Sequence, residues 1–174
     1  PILISITLVV FLLFAFTFKK GTKFLGQMFR SIINVKERQN IFDDTTVRET
    51  QLRAVLLCMT FISEGFCLFQ LITRQNPALS DSLAIGIGCG TLVACGYYFL
   101  QKWLYKGIGL LFTDTTHTHQ WIESFVSINS LIGIPLALSI LTSIFIPGID
   151  HVVLPVAAAI YLISRILFIY KGFK

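Results

Sequence analysis

Apolar and polar positions alternate in long blocks along this chain. Five runs are apolar nearly throughout: residues 2–18, 54–73, 83–104, 121–146 and 152–170. Each is close to the roughly 20 residues that an α-helix needs to cross a bilayer. A crossing segment must satisfy its own backbone groups, because lipid offers them no partner, so the runs are predicted as helices. The fold class expected is all-α, a polytopic bundle of five transmembrane helices in one membrane domain covering residues 1–174. The first run, opening at Pro1, has no basic stretch before it and no small-residue cleavage site after it. It therefore reads as a retained membrane helix, not a signal peptide.

Residues 19–53 form the largest stretch outside the runs and carry a different rhythm. Phe24, Leu25, Met28, Phe29, Ile32 and Ile33 recur at helical spacing and make one apolar stripe. Lys23, Gln27, Arg30, Ser31 and Asn34 fall on the other side. An amphipathic helix is expected over residues 22–35. It lies either along the cytoplasmic leaflet, where the stripe meets lipid or a partner, or against the underside of the bundle; the stripe serves both. Further on, "TVRE" from Thr46 to Glu49 is a capping box that would start the second crossing helix, with Asp43 and Asp44 suited to its dipole. Ile41 and Phe42 are placed to staple that turn to the amphipathic helix.

Composition agrees with the pattern. Hydrophobic residues make up 55% and charged residues 13%, with mean hydropathy +0.77, whereas soluble domains average about 25% charged. Of the 14 basic residues, all but Arg74 fall on one side of the membrane in the five-crossing arrangement. The positive-inside rule makes that side the cytoplasm, with the N-terminus outside and the C-terminus inside. The net charge of +5 is explained by these flanks and implies no nucleic acid, for which a basic soluble module would be needed. Cys58, Cys67, Cys89 and Cys95 lie in apolar runs, match no zinc or redox spacing, and read as small packing residues.

The expensive positions are polar groups inside the runs. Glu64 lies near the centre of the second run, where an acid costs at least about 2.5–3.5 kcal/mol and usually faces the bundle interior. It could carry protons or bind a cation, stay neutral in a hydrogen bond, or pair with Arg165 of the fifth run, whose stem is long enough to reach inward. Arg165 could equally snorkel to lipid phosphate. In the third run Gly86, Gly90 and Ala94 recur every four residues and would let another helix approach closely. The fourth run holds Glu123, Ser124, Ser127, Asn129, Ser130 and Gly133 ahead of Pro135, which is expected to kink it. Asn129 and Ser130 could then bond freed backbone groups or reach across helices. Asp114, His117 and His119 lie in a polar turn before that run, with Thr116 or Thr118 as helix caps. Two His residues two apart share no helix face, and no third ligand is fixed nearby, so no metal site and no cofactor are expected. "IPGID" at 146–150 reads as a tight turn between the last two runs.

Nucleophile elbow, phosphate loop and zinc-protease motifs are all missing from the sequence. The layout of "KKGTKFLGQMFRSI", "NIFDDTTVRETQL", "KWLYKGIGLLF" and "NSLIGIPLALSIL" resembles an uncharacterised family of small polytopic inner-membrane proteins in Bacteroidota, classed as a domain of unknown function. That resemblance implies a bacterial inner membrane and the company of other envelope proteins, and it offers no catalytic residues. The function expected is non-enzymatic: an accessory or scaffold subunit that docks partners through residues 19–53, with a homo-oligomer left open. The alternative is a small ion- or proton-coupled transporter using Glu64.

Overall fold

Five helices account for nearly all of the described chain: α1 (Ile2–Ile33), α2 (Val47–Gln75), α3 (Leu83–Phe112), α4 (Thr115–Phe145) and α5 (Asp150–Gly172). The computed structural model describes residues 2–33, 47–76, 83–112, 115–146 and 148–172. The expected features at Asn34, Ile41, Phe42, Asp43, Asp44, Thr46 and Asp114 lie outside the described residues. Among those that are described there is no strand, and the fold is an all-α bundle.

Four helices, α2 to α5, are each long and apolar enough to cross a membrane. The first is different. Its two parts, Ile4–Lys19 and Gly21–Arg30, meet at 82° and qualify as a span only when taken together. The bend falls between Lys19 and Gly21, and Gly21 is buried, with Leu52 3.4 Å from where a Cβ would stand. Over its described part, residues 22–33, the expected amphipathic helix is thus no separate element but the second half of α1.

The other helices also outrun the apolar blocks. In particular, α3 continues to Phe112 and α4 begins at Thr115, so His117 and His119 lie inside α4 and not in a polar turn before it. Thr116 and Thr118 accordingly lie inside α4 and are not its caps. Thr118 instead packs its side chain onto Gly109 across the reversal. At the far end Gly148 turns the chain with φ +85°, and the Ile149 amide donates to Ile146 O at 3.4 Å. A glycine suits that left-handed position because it carries no Cβ.

α4 is the central helix. It packs against all four others, and 56% of its most apolar stretch is buried, against 22% for α3. Small residues make this possible: Ser124, Ser127, Ser130, Gly133 and Ala137 are buried along it, so neighbouring backbones come close. It runs on as one helix through Pro135. Asn129 Nδ2 donates to Phe125 O at 2.8 Å and Ser130 Oγ to Val126 O at 2.8 Å. These are carbonyls four residues back, not the Leu131 carbonyl that Pro135 leaves without its amide partner.

α2 is the second organiser, held by two close crossings. On one side Gly65 and Gly90 lie back to back; a Cβ on Gly90 would stand 2.7 Å from Gly65 O. Gly86 fits against the Phe69 ring and Ala94 is buried. On the other side Gly133 of α4 sits over Thr60, 3.0 Å from Leu56 O by the same measure. The Thr60 hydroxyl lies 2.9 Å from Leu56 O and 3.0 Å from Asn129 O, so its one proton is shared between its own helix and α4.

The Gly90 crossing has a direct test. Gly90→Ala should lower the thermal transition in detergent by an amount equivalent to about 1–3 kcal/mol, since backbone must move to admit the methyl. Gly96→Ala, where nothing lies within 4 Å, should leave it unchanged.

Candidate functional site

Glu64 and Arg165 approach each other from opposite directions along the bundle. Gln75 of α2 and Asp150 of α5 lie at the same end, so depth can be counted from there. Glu64 is eleven residues in, about 17 Å, and Arg165 fifteen residues in, about 22 Å. The remaining offset is within reach of an arginine stem. Both side chains are half-buried. Arg165 is the charge that acts attractively on Glu64, yet no direct ion pair joins them among the described residues.

Arg165 is held by aromatic groups instead. Its Nη2 donates to the Tyr161 hydroxyl at 2.6 Å, one turn earlier on α5. The guanidinium lies 4.6 Å from the Tyr161 ring centroid and 5.5 Å from that of Phe125, an arrangement in which ring faces attract the cation. Arg165 Nε is buried without a partner among the described residues. The guanidinium therefore points into the bundle, and the snorkelling alternative does not describe it.

Around this point the helices share an aromatic core that the sequence reading did not find. Tyr98 stacks on Phe125 at 5.3 Å, Tyr105 meets Phe168 at 4.9 Å, and Trp121 stacks on Phe168 at 5.6 Å. The signal was present in the spacing: Tyr98 and Tyr105 are seven apart and Trp121 and Phe125 four apart, each pair on one helix face. The arrangement places a carboxyl and a guanidinium in a low-dielectric setting with a phenol between helices α2, α4 and α5. Chemically, that set can hold or pass a proton, or fasten helices together. It contains no activated nucleophile.

A second charged pair lies at the opposite end. Arg53 Nη1 donates to Glu123 Oε2 at 2.5 Å, linking α2 to α4, with side chains 11% and 24% exposed. The Arg53 guanidinium also lies 5.8 Å from the Phe24 ring of α1. One arginine thus ties three helices. Phe24, Leu25 and Met28 are buried in the same core as Leu52, Leu56 and Met59. Of the stripe read as a lipid or partner contact, these three are spent on the bundle itself. Phe29 is 53% exposed; Ile32 and Ile33 belong to α1, but the placement of their side chains is not described.

Asn129 and Ser130 are buried in α4 and do not converge on Glu64 through any hydrogen bond. His117 and His119 are exposed, and no group of three or more His, Cys, Asp or Glu side chains among the described residues could hold a metal. The four cysteines are free.

Compared with known proteins, the chain matches over residues 3–174 a family model described as Domain of unknown function (DUF4271). No curated protein and no solved structure matches it.

The Arg53–Glu123 link predicts a coupling. In a double-mutant cycle with Arg53→Leu and Glu123→Leu, each single change should destabilise the detergent-solubilised protein by about 1.5–3 kcal/mol. The double change should cost less than the two together by at least about 0.5 kcal/mol; strict additivity would show that the pair contributes nothing.

Proposed function

The chain belongs to the DUF4271 family, and from that premise we propose that it is a non-enzymatic accessory or scaffold subunit of a bacterial envelope complex. In this reading α2 to α5 cross the inner membrane and the bent α1, its two parts taken together, adds a fifth crossing. The basic end, with Lys23, Arg53 and Lys106, faces the cytoplasm, which leaves the N-terminus outside. The sequence resemblance supports placing it in the inner membrane of a member of the Bacteroidota.

One observation carries the scaffold reading. The second half of α1 turns 82° from the first, and its inner face is clamped by Arg53 and the core around Leu52. Its outer face, with Lys23, Gln27 and Phe29, is exposed. A short helix held rigidly with a mixed basic and aromatic face outward is preorganised for a partner, because little entropy remains to be lost on binding.

A second reading, a small proton- or ion-coupled carrier, is favoured by Glu64 lying at mid-depth under the charge of Arg165. Intramembrane acids commonly mark such pathways.

The two readings separate on one preparation. The full chain, isolated gently from native membranes, should bring an envelope protein with it in fixed ratio. Phe29→Ala combined with Lys23→Glu should abolish that association at an unchanged thermal transition, and Glu64→Gln should leave it intact. Recovery of the chain alone, together with substrate uptake in vesicles that Glu64→Gln abolishes, would replace the scaffold reading with the carrier.

A further inference from the structure

At the end of the bundle away from Arg53, an open cleft of about 470 Å³ separates the last turns of α2 from the start of α5. Gln70, Thr73 and Arg74 line one side, and Gly148, His151 and Leu154 the other. Among the described residues no carboxylate lines it. The walls are fixed: Gln70 Nε2 donates to Ser143 Oγ at 2.8 Å and Thr73 Oγ1 to Phe69 O at 2.8 Å. Arg74 is exposed, and no acid partners it among the described residues.

We propose that this cleft binds a phosphate group, with Arg74 as its bidentate anchor. The planar fork of an arginine matches two phosphate oxygens at once. His151 offers a ring N–H, and beside it, at the start of α5, the amides of Asp150 and His151 have no acceptor within the helix, whereas those of Val152 and Val153 already donate to Ile149 O at 2.9 and 3.1 Å. Among the described residues that line the cleft the formal charge is that of Arg74, which is positive. Close by along the chain, Leu71, Ile72, Ile146 and Val152 are 45%, 49%, 51% and 51% exposed. A polar basic cleft at the end of helices that expose apolar side chains suits a phospholipid headgroup whose acyl chains lie along those helices; free phosphate offers the same oxygens without the chains.

The test uses the full chain in detergent. Native mass spectrometry would measure retention of phosphatidylglycerol against digalactosyldiacylglycerol, a lipid of similar size without phosphate. In parallel, inorganic phosphate would be titrated and the thermal transition followed. Arg74→Gln, at an exposed position, should keep its helical circular dichroism and bind roughly tenfold more weakly. Lys106→Gln, at the other end of the bundle, should match the unchanged protein. Arg74-dependent retention of phosphatidylglycerol alone identifies a headgroup site, and an Arg74-dependent response to inorganic phosphate identifies a soluble one. If Arg74→Gln alters neither, or if Lys106→Gln weakens phosphatidylglycerol retention as much, the proposal is overturned.

Discussion

The approach of the α2 backbone to α3 on one side and to α4 on the other sets the arrangement of the whole bundle. In lipid, burying one apolar side chain against another expels no water, so helices associate through close van der Waals contact and hydrogen bonds. Gly65 against Gly90, and Gly133 against Thr60, are the points where side chains are absent and backbones meet. Once these two crossings are made, α4 lies at the centre. The outer helices need only narrow stripes to attach, as α3 does through Ile87, Ala94, Tyr98 and Gly109. The remaining faces of α3 and α5 stay apolar and exposed, as a lipid-facing surface requires.

Half of that device was legible in the sequence. The four-residue repeat of Gly86, Gly90 and Ala94 is visible because it recurs on one helix face. Its counterpart, Gly65, is a single glycine with no repeat, next to the more conspicuous Glu64, and a pairing between helices leaves no local pattern. The central place of α4 was less legible for a related reason. Its Asn129 and serines fitted bonds to the backbone or across helices alike, and a helix buried on nearly every face lacks one-sided periodicity. Its hydroxyls mostly return to carbonyls one turn back, as Ser124 does to Gln120 O, so polarity in α4 reflects small volume and internal satisfaction.

The amphipathic stripe shows where pattern alone stops. Phe24, Leu25 and Met28 have the spacing of a helix lying on lipid and equally that of a helix packed on a core. The choice is made by residues far away in sequence: Leu52 fills the space at Gly21, and Arg53 spans from Phe24 to Glu123. Arg53 and Glu123 lie in the sequence as charges in or beside apolar runs, yet only their similar depth, six and eight residues into parallel helices, connects them. Pairing matters here because a partly buried arginine deprived of its carboxylate would retain the cost of desolvation without the compensating attraction.

Glu64 and Arg165 were the easiest residues to single out, since a charge in an apolar run is conspicuous whatever the fold. Their partners were not, because tyrosine and phenylalanine are ordinary there. The structure changes the meaning of the pair through Tyr161 and Phe125. With its Nη2 on the Tyr161 hydroxyl and its face toward rings, Arg165 is stabilised without touching Glu64. The carboxyl is then subject to an attractive field but not bound in a contact ion pair, so its charge is not locked by a hydrogen bond from the guanidinium. A contact pair would make α2 and α5 one rigid unit at mid-depth. The separated arrangement leaves α5 fastened by the rings of Phe168, Trp121 and Tyr105, and leaves the acid as a group whose state can change without first breaking that attachment.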